Sequence, residues 1–132
     1  MSESNQAAVA AGVRNVIGVH TQAQDAGRTD DIVALYTKDG VLELPGADPI
    51  EGHDALREAF QGWAPVTPQL HIVTNTVLTS WSDKEASAVS NVAFTQRGES
   101  GWAVLVVGRY EDTFRLEDGT WLIRHRSTTY QA

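Results

Sequence analysis

Apolar residues recur at helical spacing in the first half of the chain and at alternating spacing after residue 69. From about Gln6 to Ala26, the residues Val9, Val13, Val16, Ile17 and His20 fall within one arc, which predicts a helix with that side buried. Gly12 and Gly18 weaken it slightly, and Gly27 stands where a glycine can take the left-handed conformation past a helix end. Thr29 is placed to cap a second helix, with Asp30 and Asp31 in its first turn and Ile32, Leu35 and Tyr36 on its apolar side. Lys38-Asp39-Gly40 reads as a turn, Val41 to Leu44 as a short strand, and Pro45-Gly46-Ala47-Asp48-Pro49 as a loop. A third helix is predicted from about His53 to Gly62, with Leu56, Ala59, Phe60 and Trp63 on one face, closed off by Pro65 and Pro68.

The rest of the chain is strand. Four segments, Gln69–Trp81, Ala86–Gln96, Trp102–Leu116 and Thr120–Tyr130, are separated by polar breaks, the last being Glu117-Asp118-Gly119 with its Asp-Gly hairpin signal. Long strands joined by short turns predict an antiparallel meander, and helices followed by strands predict an α+β fold.

Composition narrows the class. A chain of 132 residues, 42% apolar and 20% charged, fits one domain spanning residues 1–132. A net charge of −7 excludes a nucleic-acid partner that needs clustered Lys and Arg, and argues equally against an anionic membrane surface. There is no cysteine, so thiolate nucleophiles, iron–sulfur clusters and Cys-based zinc sites are excluded. The opening MSESNQAAVAAG lacks the pattern of a signal peptide, and no apolar run reaches the roughly 20 residues of a membrane span. A cytoplasmic protein is expected. The histidines at 20, 53, 71 and 125 form no recognised metal motif, so no metal is expected.

The candidate chemistry centres on QLHIVTNTVLT, Gln69 to Thr79. Alternation places His71, Val73, Asn75, Val77 and Thr79 on one side of a strand, so a titratable imidazole sits in a half-apolar run. Asp25 lies in the last turn of the first helix, where the dipole disfavours a carboxylate. It is either solvated at a frayed end or held by another partner. Further on, Trp102, Val104, Val106, Gly108, Tyr110, Asp112, Phe114 and Leu116 share one face. Asp112 is thus an acid on an apolar face, where burial demands a partner or a raised pKa, unless a bulge at Gly108 turns it to water.

With these elements in order, the chain resembles the SnoaL-like branch of the nuclear transport factor 2-like superfamily. The stretches carrying the likeness are Asp25 to Tyr36, Lys38 to Pro45, Ile50 to Phe60 and Gly108 to Trp121. The resemblance implies a cone-shaped, cystatin-like α+β roll, with N-terminal helices packed on a curved, mostly antiparallel sheet that encloses a pocket, and a homodimer formed through the sheet. The fold hosts many chemistries as well as proteins that only bind. Scytalone dehydratase and hexachlorocyclohexane dehydrochlorinase pair an aspartate near the end of helix one with a strand histidine, and Asp25 and His71 fall at those places. The dehydrochlorinase also carries a helix-one lysine and a last-strand arginine; His20 and Arg126 stand there, the histidine being a departure. Ketosteroid isomerases offer a second match, in which Asp112 falls at their second, hydrogen-bonding acid and is expected to bind substrate, but their proton-shuttling aspartate falls at Leu44, which carries no proton.

Together these readings give an expected cofactor-independent lyase or isomerase acting on a small hydrophobic, cyclic molecule. Asp25 fixes the His71 tautomer, and His71 is the base. Arg126 and His20 anchor polar groups, Tyr36 and Tyr110 add donors, and Phe60, Trp63 and Trp81 shape an apolar wall. The alternatives are a non-catalytic ligand-binding or dimerisation module, in which His71 is a core histidine with a structural aspartate, and a polyketide cyclase.

Overall fold

The structure, a computed structural model, describes residues 3–131. Three helices precede a single six-stranded sheet: α1 (Glu3–Asp25), α2 (Thr29–Val33), β1 (Tyr36–Glu43), β2 (Ile50–Glu51), α3 (Gly52–Gly62), β3 (Gln69–Trp81), β4 (Glu85–Gly98), β5 (Gly101–Glu117) and β6 (Thr120–Tyr130). The strands lie in the order β2-β1-β6-β5-β4-β3. Neighbours from β3 to β6 are antiparallel, as the short polar breaks require, whereas β1 runs parallel to β6. This is the α+β fold that the sequence pattern predicts, with the mostly antiparallel sheet that the family resemblance implies.

The core lies between α1 and the inner face of the sheet. Val9, Val13, Val16 and Ile17 are buried against Ala86, Ala88, Phe114 and Ile123. Gly12 has a packing reason: a Cβ built there would overlap the Trp121 indole, so the glycine lets helix and sheet approach. Gly27 ends α1 with φ +71°, the backbone that glycine adopts without strain.

Four local expectations are corrected. Thr29 is the first residue of α2, not its cap; the N-cap is Arg28, with no side-chain cap bond, and Arg28 pairs with Asp31. Tyr36 begins β1 instead of ending a helix. Lys38-Asp39-Gly40 is an irregular stretch inside β1, not a turn, because pairing with β6 resumes at Val41 after a register shift. In β3 the alternation breaks at Asn75, which adopts φ 57°, a left-handed conformation that Asn tolerates. The resulting shift puts Thr76 and Leu78 inward and exposes Asn75, Val77 and Thr79, so these three do not continue the His71 side.

In β5 the pattern Gly108, Tyr110, Asp112, Phe114 is buried throughout. Asp112 faces inward and no bulge falls at Gly108. The other side of the sheet leaves Leu70, Ile72, Val104 and Val107 about half exposed or more; a register shift between Val106 and Val104 takes Val104 off the Asp112 face, where strict alternation puts it.

Candidate functional site

A cavity of about 530 Å³ opens between the C-terminal ends of α1 and α3 and the inner face of the sheet. Leu42, Leu44, Phe60, Val92, Phe94 and Val106 make its walls apolar. Trp63, Val66 and Tyr130, all well exposed, stand at its rim. Three polar groupings project into it.

The first is Asp25 with His71. The Asp25 carboxylate accepts from His71 Nδ1 at 2.6 Å, from the His71 backbone N–H at 2.7 Å and from Gln69 Nε2 at 3.2 Å. The end of α1 therefore holds a carboxylate against its dipole because three donors from the start of β3 converge on it. With Nδ1 as the donor, Nε2 of His71 carries the free lone pair. The Phe94 ring lies 4.7 Å from the imidazole and fixes its plane. His71 lines the cavity; Asp25 stands behind it.

The second is Arg126 with Asp112. Arg126 donates from Nε at 2.8 Å and from Nη2 at 3.1 Å, a bidentate pair with side-chain exposures of 3% and 0%. The register sets this pair directly opposite, Asp112 on β5 facing Arg126 on β6. The guanidinium also stacks on Tyr110, 3.8 Å from the ring centre. Arg126 lines the cavity, and its Nη1 takes no part in the pair, whereas Asp112 does not line it. The expectation that Asp112 touches substrate is corrected on this point: both its oxygens are engaged by Arg126, which stands between it and the cavity-lining groups.

The third is His20 with Tyr36. Their Nε2 and hydroxyl are 2.9 Å apart, and both rings pack against Phe60. His20 is fully buried, and its pKa falls well below the ordinary histidine value, chiefly through desolvation and further through the nearby Arg126 and His71. It is a neutral imidazole, unlike the lysine of the dehydrochlorinase pattern. Burial raises the pKa of Tyr36 and of Tyr110, so both remain phenols able to donate.

Of the residues singled out from the sequence, His20, Tyr36, Trp63, His71, Tyr110 and Arg126 meet at this cavity. Trp81 does not line it. His53 bonds the Tyr36 carbonyl through Nε2, and His125 is half-buried against Glu43 at 2.7 Å. Gln24, Gln69, Gln96, Phe94 and Thr128 line the cavity without having been anticipated. Only Gln69 carried a signal, since it is two residues before His71 and so shares its face. Among the described residues no cluster of three or more His, Cys, Asp or Glu is placed to hold a metal ion.

The sequence matches the family described as SnoaL-like domain over residues 6–127. Rv3472 of Mycobacterium tuberculosis, a protein of unknown function solved with an aspartate-to-asparagine substitution, superposes with a TM-score of 0.91 at 23% identity, covering 97% of this chain and 75% of its own. A provisionally named scytalone dehydratase from Novosphingobium aromaticivorans gives 0.89 at 19% identity, covering 99% and 89%. A nuclear transport factor 2-like protein with a cystatin-like fold, from the same species, gives 0.82 at 17%, covering 98% and 90%. At these identities the likeness is one of fold. A comparison with curated proteins finds no match.

Proposed function

The chain belongs to the SnoaL-like domain family, and on that premise we propose that it is a cofactor-independent lyase or isomerase acting on a small hydrophobic, cyclic molecule. The observation that carries this reading is the Asp25–His71 bond at the cavity wall. Asp25 holds the imidazole in one tautomer and stabilises the imidazolium that forms, while Nε2 takes a proton from a substrate carbon. In an elimination, the C–H electron pair becomes the new double bond as the bond to the leaving group breaks. The leaving group departs with its pair; a departing hydroxide takes up the proton that Nε2 removed, leaves as water and returns the imidazole to its neutral form. In an isomerisation, the imidazolium returns the same proton to a different carbon. Arg126 Nη1 and the phenols Tyr36 and Tyr110 serve as donors to the oxygen on which charge develops. The name of the Novosphingobium neighbour lends support to dehydration as the reaction type.

The test separates binding from turnover. His71→Gln is expected to keep ligand affinity and lose turnover. A variant that turns over at the wild-type rate would remove His71 from the chemistry, and a wild type that turns over no compound would leave a binding module.

A second element of the proposal is a homodimer formed through the outer face of the sheet. Its support is the row of half-exposed apolar side chains, Leu70 and Ile72 on β3 with Val104 and Val107 on β5, which water alone covers poorly. Among the described residues no helix is long and apolar enough to cross a membrane.

A further inference from the structure

The reading above leaves open what electrical character the ligand has, and the buried charges decide it. Among the described residues that line the cavity, Arg126 is the one with a permanent charge; His20 and His71 are its two imidazoles. The charge of Arg126 is already matched by Asp112, through two hydrogen bonds in a pair sealed from water. Asp25 adds a further negative charge directly behind His71. The sum over Asp25, Asp112 and Arg126 is −1 with His71 neutral, and zero with His71 protonated. An anionic ligand entering this cavity would lose its hydration and meet no uncompensated cation, a costly exchange in a low-dielectric site.

The hydrogen-bonding groups point the same way. Arg126 Nη1, Tyr36, Tyr110 and the amides of Gln24 and Gln96 offer donors to an oxygen acceptor without adding net positive charge. His20 sits where a lysine would have supplied that charge, and its full burial against Tyr36 and Phe60 leaves it no solvent to stabilise a cation.

We propose that the site is selective for an uncharged ligand that carries a carbonyl or hydroxyl oxygen, and discriminates against carboxylates and phosphates of the same shape, with the Asp112 counter-charge as the determinant. This rests on the cavity being the ligand site but not on turnover. Chemistry on such a ligand keeps the total charge constant. When Nε2 takes a proton from an uncharged substrate, the imidazolium and the oxyanion form together, and the oxyanion forms where Arg126 Nη1 and the phenols already stand.

The test is equilibrium binding of an isosteric probe pair, naphthamide and naphthoate, to the wild-type protein by calorimetry near neutral pH. The amide is expected to bind at least about tenfold more tightly than the carboxylate. Equal affinities, tighter binding of naphthoate, or no binding of naphthamide overturns the proposal. Asp112→Asn leaves the Arg126 charge uncompensated, and is expected to shift the preference toward naphthoate by about tenfold or more. A folded variant with an unchanged preference overturns the role of Asp112. Should that variant not fold, the wild-type preference decides. Because both readings are of binding, a protein that never turns over a substrate leaves this inference standing, and a reversed preference leaves His71 as the base.

Discussion

Asp112 and Arg126 face each other across β5 and β6 as a register pair, joined by two hydrogen bonds of 2.8 and 3.1 Å and closed to water. Breaking one side of such a pair leaves a lone charge in the interior. Arg126→Met is therefore expected to cost about 3–5 kcal/mol, mostly the penalty of an unpaired buried Asp112. The double variant Asp112→Leu with Arg126→Met is expected to recover most of that loss while removing the donor at the cavity. Urea denaturation of the singles and the double checks both parts; equal instability of all three would mean that packing around Tyr110, not charge, sets the cost.

Asp25 does not line the cavity and acts on it through His71 and Gln69, which do. Asn in its place keeps an oxygen for the His71 backbone N–H but loses the charge that favours Nδ1–H and the imidazolium. Asp25→Asn is expected to lower kcat by about two to four orders of magnitude with little change in KM. The second readout is the nitrogen NMR signature of the imidazole. The wild type is expected to show one tautomer, protonated at Nδ1 when neutral, and the variant a mixture.

Two glycines of α1 separate packing from propensity. A Cβ at Gly12 would overlap the Trp121 indole, whereas nothing stands within 4 Å of one at Gly18. Gly12→Val is expected to destabilise by about 1–3 kcal/mol through overpacking. Gly18→Ala is expected to stabilise by roughly 0.5–1 kcal/mol, by restricting the unfolded chain and improving the helix. Thermal or urea unfolding of the two variants should move in opposite directions.

The outer face of the sheet offers the test of the dimer. Ile72 and Val107 are about half exposed there and stand away from the cavity. A charge placed at either is tolerated in a monomer's water-facing side and costly in an apolar interface. Ile72→Glu is expected to halve the mass measured by light scattering without changing the fold. A wild type that is already monomeric removes the dimer from the proposal.

The fold was legible because its signals are local and repeated: one apolar arc from Val9 to Ile17, then four alternating segments with polar breaks between them. The site was legible where chemistry sat in an unfavourable place. A carboxylate at a helix end and an acid on an apolar strand face each demanded a partner, and each has one, His71 for Asp25 and Arg126 for Asp112. What did not show were features set by register and packing. Whether Asp112 touches a ligand or backs Arg126 depends on the β5–β6 pairing. Tyr36 reads as the end of a helix because Leu35 and Ile32 precede it, and only pairing with Ile123 draws it into a strand. The Asn75 irregularity, which exposes Val77, comes from backbone that an Ile, Val and Thr-rich pattern does not encode. Gln69 gave a hint through its spacing from His71, while Gln96 and Thr128 reach the cavity from other strands and gave none.

His20 makes acid stability a readout of the site. Its pKa in the folded protein lies well below the ordinary value of 6.5, because burial removes the water that a cation needs and because Arg126 and His71 are near. In the unfolded chain the imidazole regains that ordinary value. Above pH 6.5 neither state protonates it and it contributes no pH dependence. As the pH falls below 6.5 the unfolded chain binds a proton that the folded protein refuses, so stability is lost on the acid side. The limiting slope from this one group is about 1.4 kcal/mol per pH unit, continuing down to its folded pKa. His20→Asn, which keeps a polar group near Tyr36 without a titrating ring, is expected to flatten the stability profile between pH 6.5 and the folded value. It should leave the carboxylate-driven loss at lower pH in place. Urea midpoints across that range compare the two proteins, and an unchanged slope in the variant would mean that His20 charges in the folded state and is not the neutral imidazole described here.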